Sequence, residues 1–141
     1  MPKKKRILFI CTHNSARSQM AEGLMRSLFG DRFEVFSAGT LATRVKPMAI
    51  EAMRLVGIDI TGQSSKHIGI FAHIPMDYVV TVCDSARQAC PYFPAKRALI
   101  HHSFVDPSDV EGTDQDKLAA FCRTRDELSA WLIQRFGPVR S

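Results

Sequence analysis

Cys11 and Arg17 lie in the stretch Cys11-Thr12-His13-Asn14-Ser15-Ala16-Arg17-Ser18, a Cys-x5-Arg spacing whose intervening residues are small or polar. An arginine offers a planar, permanently charged fork that matches two oxygens of a tetrahedral oxyanion. A strand that feeds a tight loop and then a helix aims successive backbone N–H groups at one point. The helix dipole stands behind them, and together they make an anion site. A cysteine at the mouth of that field is a nucleophile pointed at the anion, and its pKa is expected below the free value of about 8.5. The bare spacing is weak, since a core cysteine at a strand end beside a solvated arginine would show it too. Its context is what carries it: an apolar run before, a helix after, and Ser18 at the helix start.

Other groups point the same way. Asp106-Pro107 follows a short strand. A carboxylic acid there can protonate a leaving oxygen, although Asp-Pro also starts ordinary turns. Cys83 and Cys90 are separated by six residues. They can be two buried cysteines, a redox pair serving Cys11, or metal ligands together with His101 or His102. The gap exceeds the usual zinc spacing, and there is no second close pair. Cys122 falls on the apolar face of a helix and reads as structural. His13 belongs to the loop through its backbone. His67, His73, His101 and His102 have no assigned role, and Trp131 reads as packing.

The elements needed to position these groups follow from periodicity. Ile7–Ile10 is a buried strand, and Ala21, Leu24, Met25 and Leu28 stripe the helix behind the loop. Phe33–Ser37 is a second strand after the break at Gly30-Asp31. Pro47 opens a helix with Ile50, Met53 and Val56 on one side, stopped by Gly57. A short helix is predicted from Lys66 to Ala72. Asp77–Val82 is a third strand and Arg97–His101 a fourth, with a long connection over 84–95 between them. Leu118, Phe121, Cys122, Leu128, Leu132 and Phe136 mark a long terminal helix. Alternating strands and helices predict an α/β fold: a small, doubly wound, four-stranded parallel sheet with helices on both faces. Its site belongs at the carboxyl ends of the strands. Cys11, Cys83 and Asp106 all land on that edge.

A chain of 141 residues, 45% hydrophobic, fits one domain spanning 1–141. No apolar run is long enough to span a membrane, and no signal peptide is evident, so a cytoplasmic location is expected; the chain is taken as a monomer. Cysteines in that compartment are reactive or buried rather than structural disulfides. The net charge of +5 carries no basic stripe interleaved with aromatics, so no nucleic-acid partner is expected.

The Cys11–Ser18 loop, Cys83-x6-Cys90 and Asp106-Pro107 together resemble the thioredoxin-coupled arsenate reductases built on the low-molecular-weight tyrosine phosphatase fold. The likeness runs over essentially the whole chain. It implies that Cys11 attacks arsenate while Asp106 helps an oxygen leave. Arg17 and the amides of Thr12, His13, Asn14, Ser15, Ala16 and Ser18 hold the oxyanion, for which phosphate and sulfate compete. Ser18 would hydrogen-bond the Cys11 thiolate. Cys83 then displaces arsenite by attacking Cys11, and Cys90 attacks Cys83 to leave a disulfide for thioredoxin; glutaredoxin or another thiol is the alternative reductant. If the connection after Cys83 is helical, its ends lie about 10 Å apart along the axis. A disulfide needs the α-carbons within about 7 Å, so the segment must unwind.

No bound cofactor is expected. Some relatives hold potassium through positions matching Asn14, Glu22 and Ser37 and a further acidic residue. Here Lys66 stands where that carboxylate would be, so its ammonium is expected to take the cation's place. Two rival functions share the motif. A tyrosine phosphatase would not need Cys83 and Cys90, and would want aromatic walls that Asp106-Pro107-Ser108 does not offer; a weak phosphatase side activity is compatible with the loop. A non-enzymatic redox or oxyanion sensor would not need Asp106.

Overall fold

The computed structural model describes residues 3–83 and 93–139. Strands β1 (Lys5–Cys11), β2 (Phe33–Gly39), β3 (Tyr78–Thr81) and β4 (Ala98–His101) form one sheet in the order β2-β1-β3-β4. Every neighbouring pair is parallel, with Cys11 opposite Gly39 and Ile10 opposite Thr81. The sequence places all four strands and shifts only their ends. β1 starts earlier than predicted and includes Cys11. β3 excludes Asp77, whose carboxylate instead accepts from the Arg6 N–H at 2.8 Å. β1 lies in the middle of the sheet and Ile7 to Ile10 are fully buried, which is why that run shows no alternation.

Helix α1 spans Arg17–Phe29, α2 Pro47–Arg54 and α3 Asp114–Phe136. Phe33 and Tyr78 meet Phe136 of α3 at ring-centroid distances of 5.6 and 5.5 Å, and Ser37 donates to Glu22 of α1. This face of the sheet is therefore the one α1 and α3 cover. Side chains alternate along a strand, so Phe36 points the other way and meets Phe71 at 5.4 Å. Phe71 closes a 3-10 turn, Ile68–Phe71, which is what the predicted Lys66–Ala72 helix becomes. His67 gains a role here, because its Nδ1 accepts from the Gly69 N–H and caps the turn.

Two predicted helical faces are corrected. α2 ends at Arg54, so Val56 is half exposed beyond it, and the chain turns at Gly57 in the left-handed region (φ 79°). Met53 is buried as predicted and Ile50 partly so, with Ala49 and Ala52 completing the buried side. On α3, Leu118 and Cys122 are only partly buried, while Ala120, Thr124 and Arg125 complete the covered face. Arg125 reaches α2 and donates to the Ala52 carbonyl at 2.7 Å. Thr113 and Asp116 close the start of α3 as a reciprocal capping box. The connection predicted over 84–95 lies outside the described residues as far as position 92.

Candidate active site

β1 delivers Cys11, 4% exposed, to the carboxyl edge of the sheet, and α1 begins at Arg17. The loop between them is held from outside, carbonyl by carbonyl. Thr12 O accepts from the Leu41 N–H at 2.9 Å and from Thr40 Oγ1 at 3.3 Å. His13 O accepts from Ser65 Oγ at 2.9 Å and Thr43 Oγ1 at 3.2 Å. Asn14 O accepts from Gln19 Nε2 at 2.9 Å, Ser15 O from the Lys46 N–H at 2.8 Å, and Ala16 O from the Met20 N–H at 2.9 Å. In a trans peptide plane the C=O of one residue and the N–H of the next point in opposite directions. Carbonyls pinned outward therefore turn the N–H groups of His13, Asn14, Ser15, Ala16 and Arg17 inward. The result is an anion cradle at the start of α1.

Asn14 makes the bend possible. Its φ is 50°, in the left-handed region that asparagine tolerates better than most residues. Its fully buried side chain donates to Ser18 Oγ at 2.8 Å and Ser37 Oγ at 2.9 Å, and accepts from the Lys66 N–H at 2.9 Å. Ser18 Oγ thus serves Asn14, leaving its hydroxyl hydrogen for another acceptor. Gly39 lets the β2 end approach the loop: a Cβ there would lie 2.7 Å from Thr12 O and 2.8 Å from Asn14 N. His13 is exposed and joins the network through its carbonyl.

Arg17 NH1 donates to the Phe104 carbonyl at 2.9 Å, and NH2 lies 3.3 Å from Asp106 Oδ2. Arg17 Nε is buried without a hydrogen-bond partner, a donor suited to an incoming oxyanion. Asp106 does two jobs at once. Oδ1 accepts from the Ser108 N–H at 2.9 Å as an Asp-Pro turn would have it, and Oδ2 faces Arg17. The Phe104 ring stacks on His102 at 4.7 Å, and Trp131 stands edge-on to both.

Cys83, 3% exposed, lies beside the loop with its sulfur 3.4 Å from Thr12 Oγ1. It also alters the expectation for Cys11. Contact with the Cys83 thiol, followed by burial, pushes the Cys11 pKa up rather than down. Arg17 and the Thr12 N–H pull the other way. The sequence accounts for the cradle's positive field and for Cys83 on the same edge, but not for the burial and thiol contact that oppose that field at Cys11. Cys11, Arg17, Cys83 and Asp106 lie together at this edge of the sheet, while Cys90 lies outside the described residues. Gln19, Gly39, Thr40, Thr43, Lys46, Ser65 and the Phe104 carbonyl are additions, and no local pattern marks them.

Glu22, matched to the potassium position, is already engaged. It accepts from Ser37 Oγ, pairs with Arg26 at 2.5 Å and has Lys66 Nζ at 3.8 Å. Asn14 is committed on both ends of its amide. These residues do not fit a bound cation. His101 Nδ1 is 2.7 Å from Thr81 Oγ1 while His102 stacks on Phe104, so the two rings serve different neighbours. Among the described residues no cluster of three or more His, Cys, Asp or Glu side chains could hold a metal.

A parallel sheet whose central strand ends in a buried cysteine, followed by an oxyanion cradle and a helix-starting arginine, defines a phosphatase-like class. The chain belongs to the low molecular weight phosphotyrosine protein phosphatase family, whose model matches residues 6–133. In sequence it is similar to arsenate reductases, and in fold both to these and to phosphatases of the family. The arsenate reductase of Halalkalibacterium halodurans is 46% identical over 125 residues, covering 89% of this chain and 90% of that protein. An arsenate reductase solved in the phosphate binding state is 32% identical with a TM-score of 0.76, over 94% of this chain and 99% of the other. The thioredoxin-dependent arsenate reductase of Corynebacterium glutamicum has a TM-score of 0.64 at 27% identity, over 94% of this chain and 63% of the other.

Proposed function

We propose that the protein reduces arsenate to arsenite through a relay of Cys11, Cys83 and Cys90, with thioredoxin as external reductant. The observation that carries this reading is the buried Cys83 thiol seated against Cys11 and Thr12 at the rim of the oxyanion cradle. A phosphatase has no use for a second thiol there. Arsenate binds to the inward N–H groups and the free Nε of Arg17. The Cys11 sulfur, its proton passing by way of Asp106, forms a bond to arsenic. An oxygen leaves as water, taking the hydrogen it carries in hydrogenarsenate and a proton from Asp106. Cys83, as thiolate, attacks the Cys11 sulfur, and the S–As bond breaks with its electron pair passing to arsenic. Arsenic(V) thus becomes arsenic(III), arsenite departs, and a Cys11–Cys83 disulfide remains. Attack of Cys90 on Cys83 frees Cys11, and the Cys83–Cys90 disulfide is reduced by thioredoxin.

Sequence similarity to arsenate reductases and the thioredoxin-dependent structural relative support the substrate and the reductant. A relay regenerated by thioredoxin belongs in the reducing cytoplasm, and no helix among the described residues is long and apolar enough to cross a membrane. The deciding experiment supplies reduced thioredoxin and compares arsenite release from arsenate with phosphate release from an aryl phosphate. Arsenite formation coupled to thioredoxin oxidation is expected to dominate. Phosphate release without arsenite would make the protein a phosphatase, and neither product would leave a sensor.

A further inference from the structure

We propose that Gln19 is a positioning residue for the oxyanion cradle, holding the Asn14 peptide so that the Ser15 N–H faces the bound oxyanion. The proposal rests on the oxyanion-binding reading above. Gln19 is fully buried in the first turn of α1. Its two amide hydrogens both go to backbone carbonyls, Asn14 O and Ser64 O, each at 2.9 Å. Only the NH2 end of a carboxamide can serve two carbonyls, so the orientation is defined. The oxygen end accepts from Gln63 Nε2 at 2.8 Å, and Gln63 in turn accepts from Arg26 at 3.0 Å.

The left-handed conformation of Asn14 turns its carbonyl toward α1, into a buried place. The hydroxyls that hold His13 O sit at the exposed side of the loop, where water can replace them. At Asn14 O water has no such access, so an unpaired carbonyl would drive the peptide to rotate and carry the Ser15 N–H with it. The same amide anchors Ser64, whose neighbours Ser65 and Lys66 bond His13 O and Asn14 Oδ1. One buried carboxamide thus fastens both the loop and the segment that braces it.

The test is Gln19→Met, which keeps the volume and removes both donors, with binding of inorganic phosphate as readout. The expected result is phosphate affinity weaker by about tenfold to a hundredfold, the cost of an orphaned buried carbonyl. The KM for arsenate should rise in step while kcat falls less, and thioredoxin should reduce the preformed Cys83–Cys90 disulfide at the parent rate. A folded Gln19→Met protein with a lower melting temperature but parental phosphate affinity overturns the proposal. Should that variant not fold, Gln63→Met leaves both Gln19 donors in place and removes the bond to its amide oxygen, along with Gln63's bonds to Gln19 O and Arg26. Phosphate affinity weaker by about threefold or more is then expected, and an unchanged value overturns the proposal. A parent protein that binds no phosphate defeats the functional reading itself, and the proposal with it.

Discussion

Cys83, the attacking thiol of the proposed relay, is also the largest cause of the raised Cys11 pKa. Contact between the two buried sulfurs holds the Cys11 proton, with burial acting the same way and Arg17 pulling against both. Cys83→Ala removes the largest cause of the raised Cys11 pKa. The Cys11 titration, followed by thiolate absorbance or by alkylation rate, should therefore move to lower pH. An unmoved titration would mean that burial alone sets it. The sign for stability follows: a thiol whose folded pKa is raised stabilises the fold fully below the unfolded value of about 8.5 and loses that contribution as pH rises through the folded one. Asp106 belongs to the same scale. Asp106→Asn should slow arsenate reduction by roughly 10²–10⁴-fold, the range for a general acid. It should leave phosphate binding intact, because the arginine it faces is then less engaged. Loss of binding with unchanged turnover would reduce Asp106 to its turn.

Elements determine which charges meet, and the clearest case is the segment before the Ile68–Phe71 turn lying against α1. Lys66 approaches Glu22 at 3.8 Å, and burial lowers the lysine pKa while Glu22 raises it. With Arg26 also on Glu22, the carboxylate is compensated without a bound ion. Exchanging potassium for sodium at constant ionic strength should thus change arsenate turnover only slightly, whereas a large saturable activation by potassium would contradict this pairing. The example also shows where the sequence stops being readable. Ile7–Ile10 and the α1 stripe declare strand and helix through composition and spacing, and the Cys11–Ser18 motif declares the anion site between them. Lys66 near Glu22 is expected only through the family resemblance, and Ser65 on His13 and Gln19 on Ser64 depend on how the crossover between β2 and β3 returns to the loop. No local period encodes that return. The Val56 misplacement has a related origin: Gly57 marks the turn, but the helix has already ended at Arg54, before the apolar stripe does.

At the scale of the whole molecule, the sheet collects Cys11 from its central strand, Cys83 from just beyond β3 and Asp106 from beyond β4 onto one edge. The parallel order makes this convergence, since every strand ends at the same side. The proposed relay needs an exit for its oxidising equivalents, and it assigns that exit to Cys90. Cys90→Ser should stop after about one arsenite per protein, trapped as a Cys11–Cys83 disulfide visible by mass spectrometry. Sustained turnover of that variant with thioredoxin would show that Cys83–Cys90 is not the route out.

The aromatic stack behind Arg17 has an optical consequence. Trp131 is the sole tryptophan of the chain. It stands 5.1 Å from the His102 ring and 6.1 Å from the Phe104 ring, and the Phe104 carbonyl is held by Arg17. An oxyanion that draws the guanidinium toward itself loosens that carbonyl and shifts the rings against the indole. Trp131 emission should therefore change in intensity as phosphate or arsenate saturates the cradle, and the change should vanish in Arg17→Met. An emission change that follows saturation makes the indole a reporter of oxyanion capture through one backbone oxygen.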